Sequence, residues 1–108
     1  MELYKASRYQ EAVDQALQEI AQDGKNVDNY VGLLWSLLEL KRYDSAAVYA
    51  ARARLVNRYD PRIVQAYAQA MYHIGRNEDA LRLFQEYVRL APEGANIDLA
   101  YYYMGELY

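Results

Sequence analysis

The chain has 108 residues, the size of one ordinary domain, and its 54% hydrophobic content excludes intrinsic disorder. A formal charge of −3, a pI near 5.1 and arginines scattered singly along the chain argue against a nucleic-acid footprint. Cys is absent, which excludes a disulfide scaffold, a thiolate nucleophile and a Cys-based metal site, and which fits the cytoplasm or a bacterial periplasm without choosing between them.

With only two Pro and five Gly, helices are permitted almost everywhere. The pattern predicts them near residues 2–6, 8–22, 27–40, 43–57, 61–74, 77–90 and 97–107. Tyr30, Leu33, Leu34, Leu37 and Leu38 recur at i, i+3, i+4, i+7 and i+8, the apolar stripe of an amphipathic helix. Lys41 occupies a short turn, and Ala46, Ala47, Ala50 and Ala53 then offer small residues where two antiparallel helices approach. Pro61 suits the first turn of the next helix. Gly75 supplies a second short turn, where a positive φ is free of strain. Asp28, Asp44 and Asn77 stand at helix starts as caps or first-turn residues. Gly24 and the Pro92-Glu93-Gly94 run end the helices before them.

These elements repeat. Arg8-Tyr9-Gln10-Glu11-Ala12, Arg42-Tyr43-Asp44-Ser45-Ala46 and Arg76-Asn77-Glu78-Asp79-Ala80 stand 34 residues apart. At the same offset Leu3, Leu37 and Met71 correspond, as do Tyr4, Leu38 and Tyr72, and Ala16, Ala50 and Phe84. A unit of this length, built as helix–turn–helix, resembles the tetratricopeptide repeat. Residues 61–94 fit best, with Val64, Tyr67, Ala68 and Met71 in the first helix and Ala80, Phe84 and Pro92 in the second. Residues 27–60 fit too, but carry Arg58 where Pro is expected. Residues 1–26 form a partial unit. Tyr101, Met104, Gly105 and Tyr108 match the opening spacing of a fourth, at 95–108. The resemblance implies an all-α fold, a right-handed superhelix (a solenoid) of antiparallel helical hairpins forming one array.

It also implies a function. First helices in this family line a concave groove that binds another protein or peptide. The groove-facing slots are the second, fifth, ninth, twelfth and thirteenth of each unit. Here these are Met1, Tyr4 and Lys5; Asp28, Val31, Trp35, Leu38 and Glu39; Arg62, Gln65, Gln69, Tyr72 and His73; then Leu99, Tyr102 and Glu106. Tyr4, Trp35, Tyr72 and Tyr102 would set one aromatic on each unit among polar neighbours, a surface for a helix or an extended peptide. Trp35 lies outside the packing phase of its helix, and Trp and Tyr are enriched at binding hot spots. The alternative is that Trp35 and Leu38 pack against Tyr72 inside the stack. Relatives that hold chaperone C-terminal carboxylates use Lys, Asn and Arg in these slots. Val31, Trp35, Gln65 and Gln69 do not supply that clamp, and Arg62 is the only groove cation with a plausible place.

Catalytic and cofactor readings find no support. His73 has no second ligand for zinc, no Gly-rich phosphate loop occurs, and Ser7, Ser36 and Ser45 suggest no triad. The chain is read as a non-enzyme without cofactor. No apolar run reaches the ~18 residues of a membrane span, and the start lacks the pattern of a signal peptide. Tyr101, Met104, Leu107 and Tyr108 would leave an apolar face on the last helix, because its partner helix is missing. Two explanations stand. The chain is a piece of a longer repeat protein, or it completes its stack as a homodimer through Tyr101, Met104 and Tyr108. A structural or self-association module with an idle groove is therefore the alternative function. The extra residues around Gly94-Ala95-Asn96 loosely resemble bacterial envelope assembly members of the family.

Overall fold

The computed structural model describes residues 2–94 and 97–107, with side chains from Ser7 onward. Six helices follow one another: α1 (Glu2–Gln22), α2 (Val27–Glu39), α3 (Tyr43–Val56), α4 (Pro61–Ile74), α5 (Asn77–Leu90) and α6 (Ile97–Leu107). Each packs on the next in sequence, and α2 also touches α4. This is an all-α helical repeat in which α2–α3 and α4–α5 form successive hairpins.

Both hairpin turns are closed the same way. Lys41 has φ 60° and Gly75 φ 95°, the left-handed conformation that ends a helix. At the first turn Lys41 N–H donates to the Leu38 carbonyl at 3.0 Å and Arg42 N–H to the Leu37 carbonyl at 2.9 Å. At the second, Gly75 N–H donates to Tyr72 at 3.1 Å and Arg76 N–H to Met71 at 3.0 Å. These paired bonds satisfy carbonyls that the ending helix would otherwise leave open.

The equivalent position in the first unit is Ser7, and there the break expected between residues 6 and 8 does not occur. Helix α1 runs through it. A left-handed non-glycine residue costs about 1–2 kcal/mol. No buried residue among the described ones precedes Val13, so no packing offsets that cost.

Capping decides between the two roles expected at the helix starts. The caps of α2 and α4 are Asn26 and Asp60, whose side chains accept the N–H groups of Asp28 at 3.0 Å and Arg62 at 2.9 Å. Asp28 and Asp44 are first-turn acids, one of the two roles expected of them, where the helix dipole favours them. Asn77 is the first residue of α5, after Arg76 at the cap position.

The core forms two clusters joined at α4. The first gathers Val13, Tyr30, Leu33, Leu34 and Leu37 with Ala46, Ala50 and Ala53 of α3 and Ile63, Ala66 and Ala70 of α4. The second gathers Val64 and Ala68 of α4 with Ala80, Leu83, Phe84 and Tyr87 of α5 and Ala100 of α6. Tyr67 packs against both. An ion pair, Arg54–Glu86 at 2.6 Å, ties α3 to α5. No described helix is long and apolar enough to cross a membrane.

The two turns make opposite predictions. Gly75→Ala should lower unfolding stability by about 1 kcal/mol, because a side chain is strained at this φ. Lys41→Gly should raise it by roughly 0.5 kcal/mol, since relief of strain exceeds the added chain entropy of glycine. Denaturant titration of the two variants checks both signs.

Candidate functional site

Helices α2, α4 and α6 carry the residues expected to face a ligand. On α2, Trp35 is half-buried and lies outside both core clusters, whereas Val31 and Leu38 pack against the first cluster. On α4, Tyr72 packs against the second cluster, with its ring 5.3 Å from His73 and 4.7 Å from Tyr103. On α6, Tyr102 is 61% exposed. The Tyr4 side chain lies outside the described residues.

Gln65 and Gln69 were expected as polar contacts in the groove, and the fold corrects this. They are only 2% and 9% exposed. Helix α4 is packed by α2, α3 and α5, which closes these slots over. The Gln69 Nε2 donor is buried without an acceptor among the described residues.

Arg62 is half-exposed but already engaged. Its Nε and Nη2 donate to the two Asp60 carboxylate oxygens at 3.1 and 2.8 Å, and Nη2 reaches Asp28 on α2 at 2.9 Å. The Arg62 hydrogen bonds hold the buried Asp60 carboxyl below the usual carboxylate range, and the two acids push the guanidinium above its own. This guanidinium therefore joins the start of α4 to the start of α2.

An aromatic array that the slot pattern did not foresee runs beside these residues. His73 stacks on Tyr43 with centroids 4.2 Å apart, and the Tyr103 ring meets His73 edge-on at 6.4 Å. Tyr103 also stacks on Phe84 at 5.1 Å and meets Tyr102 at 5.7 Å. Tyr43, His73 and Tyr103 come from α3, α4 and α6, so the array crosses three elements. Their 30-residue spacing could have signalled it, but it runs out of phase with the 34-residue repeat. Burial drives the His73 pKa down. Burial, then the neighbouring tyrosines, drive the Tyr103 pKa up.

On the face expected to self-associate, Tyr101 is 54% exposed. Met104 and Leu107 instead turn toward the second core cluster, because α6 lies against α5. Tyr108 lies outside the described residues. No group of three or more metal-ligating residues occurs among those described.

The sequence matches the tetratricopeptide repeat family over residues 3–102. No curated protein matches it. Among solved structures it is similar to the Arabidopsis OM64 TPR domain, at 21% identity and a TM-score of 0.85, covering 96% of this chain and 84% of that one. It is similar to the first TPR of Spaghetti (RPAP3) bound to the HSP90 peptide SRMEEVD, at 18% identity and a TM-score of 0.86, covering 98% and 82%. It is also similar to PcrH in complex with the chaperone binding region of PopD, at 18% identity and a TM-score of 0.78, covering 98% and 80%.

The histidine environment makes stability depend on pH. Above about 6.5 the imidazole is neutral in both states. Below it the unfolded chain takes up a proton that the folded chain resists, so stability falls with pH until the lowered folded value is passed. The melting temperature should drop between pH 7 and pH 5.5, and His73→Gln should flatten that slope. Asp60 loses its contribution only at lower pH, as the solution becomes acid enough to protonate it, and does not obscure this window. With a single His in the chain, an NMR titration should give one midpoint, below 6.5.

Proposed function

The chain belongs to the tetratricopeptide repeat family, and we propose that it is a non-catalytic protein-interaction module binding a peptide or helix along the surface of α2, α4 and α6. The observation that carries this reading is Trp35. It is the only Trp, it is half-buried, and it stands outside both core clusters. A large rigid ring left at a surface is the kind of side chain that anchors a partner. Tyr72 and the exposed Tyr102 extend the aromatic surface along the next two first helices.

Two features shape the choice of ligand. The buried Gln65 and Gln69 do not offer their side chains freely, which leaves aromatic and aliphatic groups as the main contacts. Arg62 is held by Asp60 and Asp28, so the groove cation of α4 is already neutralised. Relatives that clamp chaperone tails need free cations in these slots. The Spaghetti domain binds a peptide ending in EEVD; this chain is not suited to that carboxylate. An apolar or aromatic face of a helix fits better.

The second reading is self-association through α6, favoured by the exposure of Leu99, Tyr101 and Tyr102 on one short helix. In that case the groove is idle and the array spaces or joins copies of the protein. A light-scattering mass separates the readings: a monomer at high concentration removes the second.

For the first, Trp35→Ala combined with Tyr72→Ala should lower partner retention by tenfold or more, since a hot-spot truncation costs roughly 2 kcal/mol. Helical circular dichroism should be unchanged. Equal retention by the double variant would refute the groove reading. Any affinity of the peptide SRMEEVD for the unaltered chain should survive Trp35→Ala combined with Tyr72→Ala.

A further inference from the structure

A second concave surface lies between the second helices of the two hairpins. It is an open cleft of about 640 Å³ between α3 and α5, with Tyr67 and Met71 of α4 among its lining residues. On α4 these two stand about 200° around the helix from Gln65 and Gln69, two residues away in each case. Trp35, Tyr72 and Tyr102 are not among its lining residues.

Five arginines line it. Arg54 and Arg58 come from α3 and the loop after it, Arg76 from the α4–α5 turn, and Arg82 and Arg89 from α5. Their only acidic neighbours in the lining are Asp79 and Glu86. The cleft carries three net positive charges, in a chain whose total is −3.

Both carboxylates are already paired. Glu86 binds Arg54 at 2.6 Å, and Asp79 binds Arg76 at 3.2 Å and also Arg82. Arg58 and Arg89 form no ion pair with a described residue. Arg54 is only 11% exposed, and its Nε donor is buried without an acceptor among the described residues. Five guanidinium groups in the lining thus face two carboxylates. Tyr67, Met71 and Leu83 add apolar lining between the charges.

We infer that this cleft binds a short acidic polypeptide segment that also carries an apolar side chain. Guanidinium forks pair bidentately with carboxylates, and those in the cleft already surround Asp79 and Glu86. The apolar lining suits an aliphatic side chain between acidic ones. The volume falls in the range of about 300–1,000 Å³ that holds small ligands, enough for a few residues in contact. A nucleic-acid strand shares the negative charge, but the remaining surface of an acidic protein repels its long run of phosphates.

The test uses the whole chain and a fluorescein-labelled peptide of alternating Glu and Leu, followed by fluorescence polarisation. Saturable binding is expected at low salt, weakening as salt is raised. Arg58→Glu with Arg89→Glu should weaken it at least tenfold. The milder pair Arg58→Gln and Arg89→Gln, which avoids introduced repulsion, should weaken it severalfold. Trp35→Ala should leave it unchanged, so this site and the groove fail or stand separately. A Lys-Leu peptide should not bind. The inference is overturned by no saturation at millimolar peptide, by equal affinity in the glutamine variant with unchanged circular dichroism, or by displacement of the peptide by inorganic phosphate or a single-stranded oligonucleotide at lower concentration.

Discussion

Helix α4 is packed by α2, α3 and α5, and the rest of the array depends on how its surface is divided. At about 100° per residue, Ile63, Ala66 and Ala70 share one face, and Val64 and Ala68 the adjacent one. The first face completes one core cluster and the second completes the other. Tyr67 projects between the two faces and packs on both clusters. Such division leaves little volume per neighbour. Alanine is therefore repeated on α4 and on α3, where Ala46, Ala50 and Ala53 are fully buried. A larger side chain at any of these positions would push a neighbouring helix away, at about 1–3 kcal/mol for each overpacked site. Of the largest fully buried side chains, Phe84 is on α5, Leu33 and Leu34 are on α2, and Ile63, Val64 and Gln65 are in the first turns of α4.

The same packing explains why the polar residues at the start of α4 are organised so fully. Asp60 is buried, and a buried carboxylate is tolerated only when its oxygens are met. Its partners are the Arg62 N–H, as a cap, and the Arg62 guanidinium, as a fork. That fork continues to Asp28 in the first turn of α2, setting the starts of two successive first helices side by side. The cap, the hairpin entry and the charge balance thus rest on one arginine. A ligand that needed this cation would have to break the link that aligns the helices.

Much of the fold was legible because hairpin packing writes itself into period and offset. The apolar stripe of α2, the small residues of α3 and the left-handed position at Gly75 each have a local cause that sequence displays. Ser7 does not follow, since a register position says where a turn would fall but not whether packing offsets its strain. Burial depth was not legible either. Gln65 and Gln69 occupy slots that face outward in the general pattern, and Gln is a mostly exposed residue type. Only the number of helices crowding α4 reveals that they are covered. Met104 is the same case in an apolar residue. The arginines of the cleft are 4 to 18 residues apart in sequence, from Arg54 to Arg89, and no linear window shows them as a cluster.

That gathering is itself a consequence of the α4 constraint. Helix α4 stands between α3 and α5, so the gap between these second helices has to be spanned by long side chains or left to solvent. Arginine suits it because its aliphatic stem covers apolar surface while its head stays hydrated or paired. Arg54 crosses to Glu86 in this way and replaces direct helix contact with a charged bridge. Filling a structural gap with arginines also sorts the charge of the molecule. With three net positive charges in the cleft and −3 overall, the remaining residues sum to −6. An acidic segment is repelled by most of this surface and attracted by one strip of it, within the roughly 10 Å over which exposed charges act at moderate salt. A stack that needs arginines to bridge its outer helices therefore acquires, from the same residues, a preferred orientation toward anionic partners.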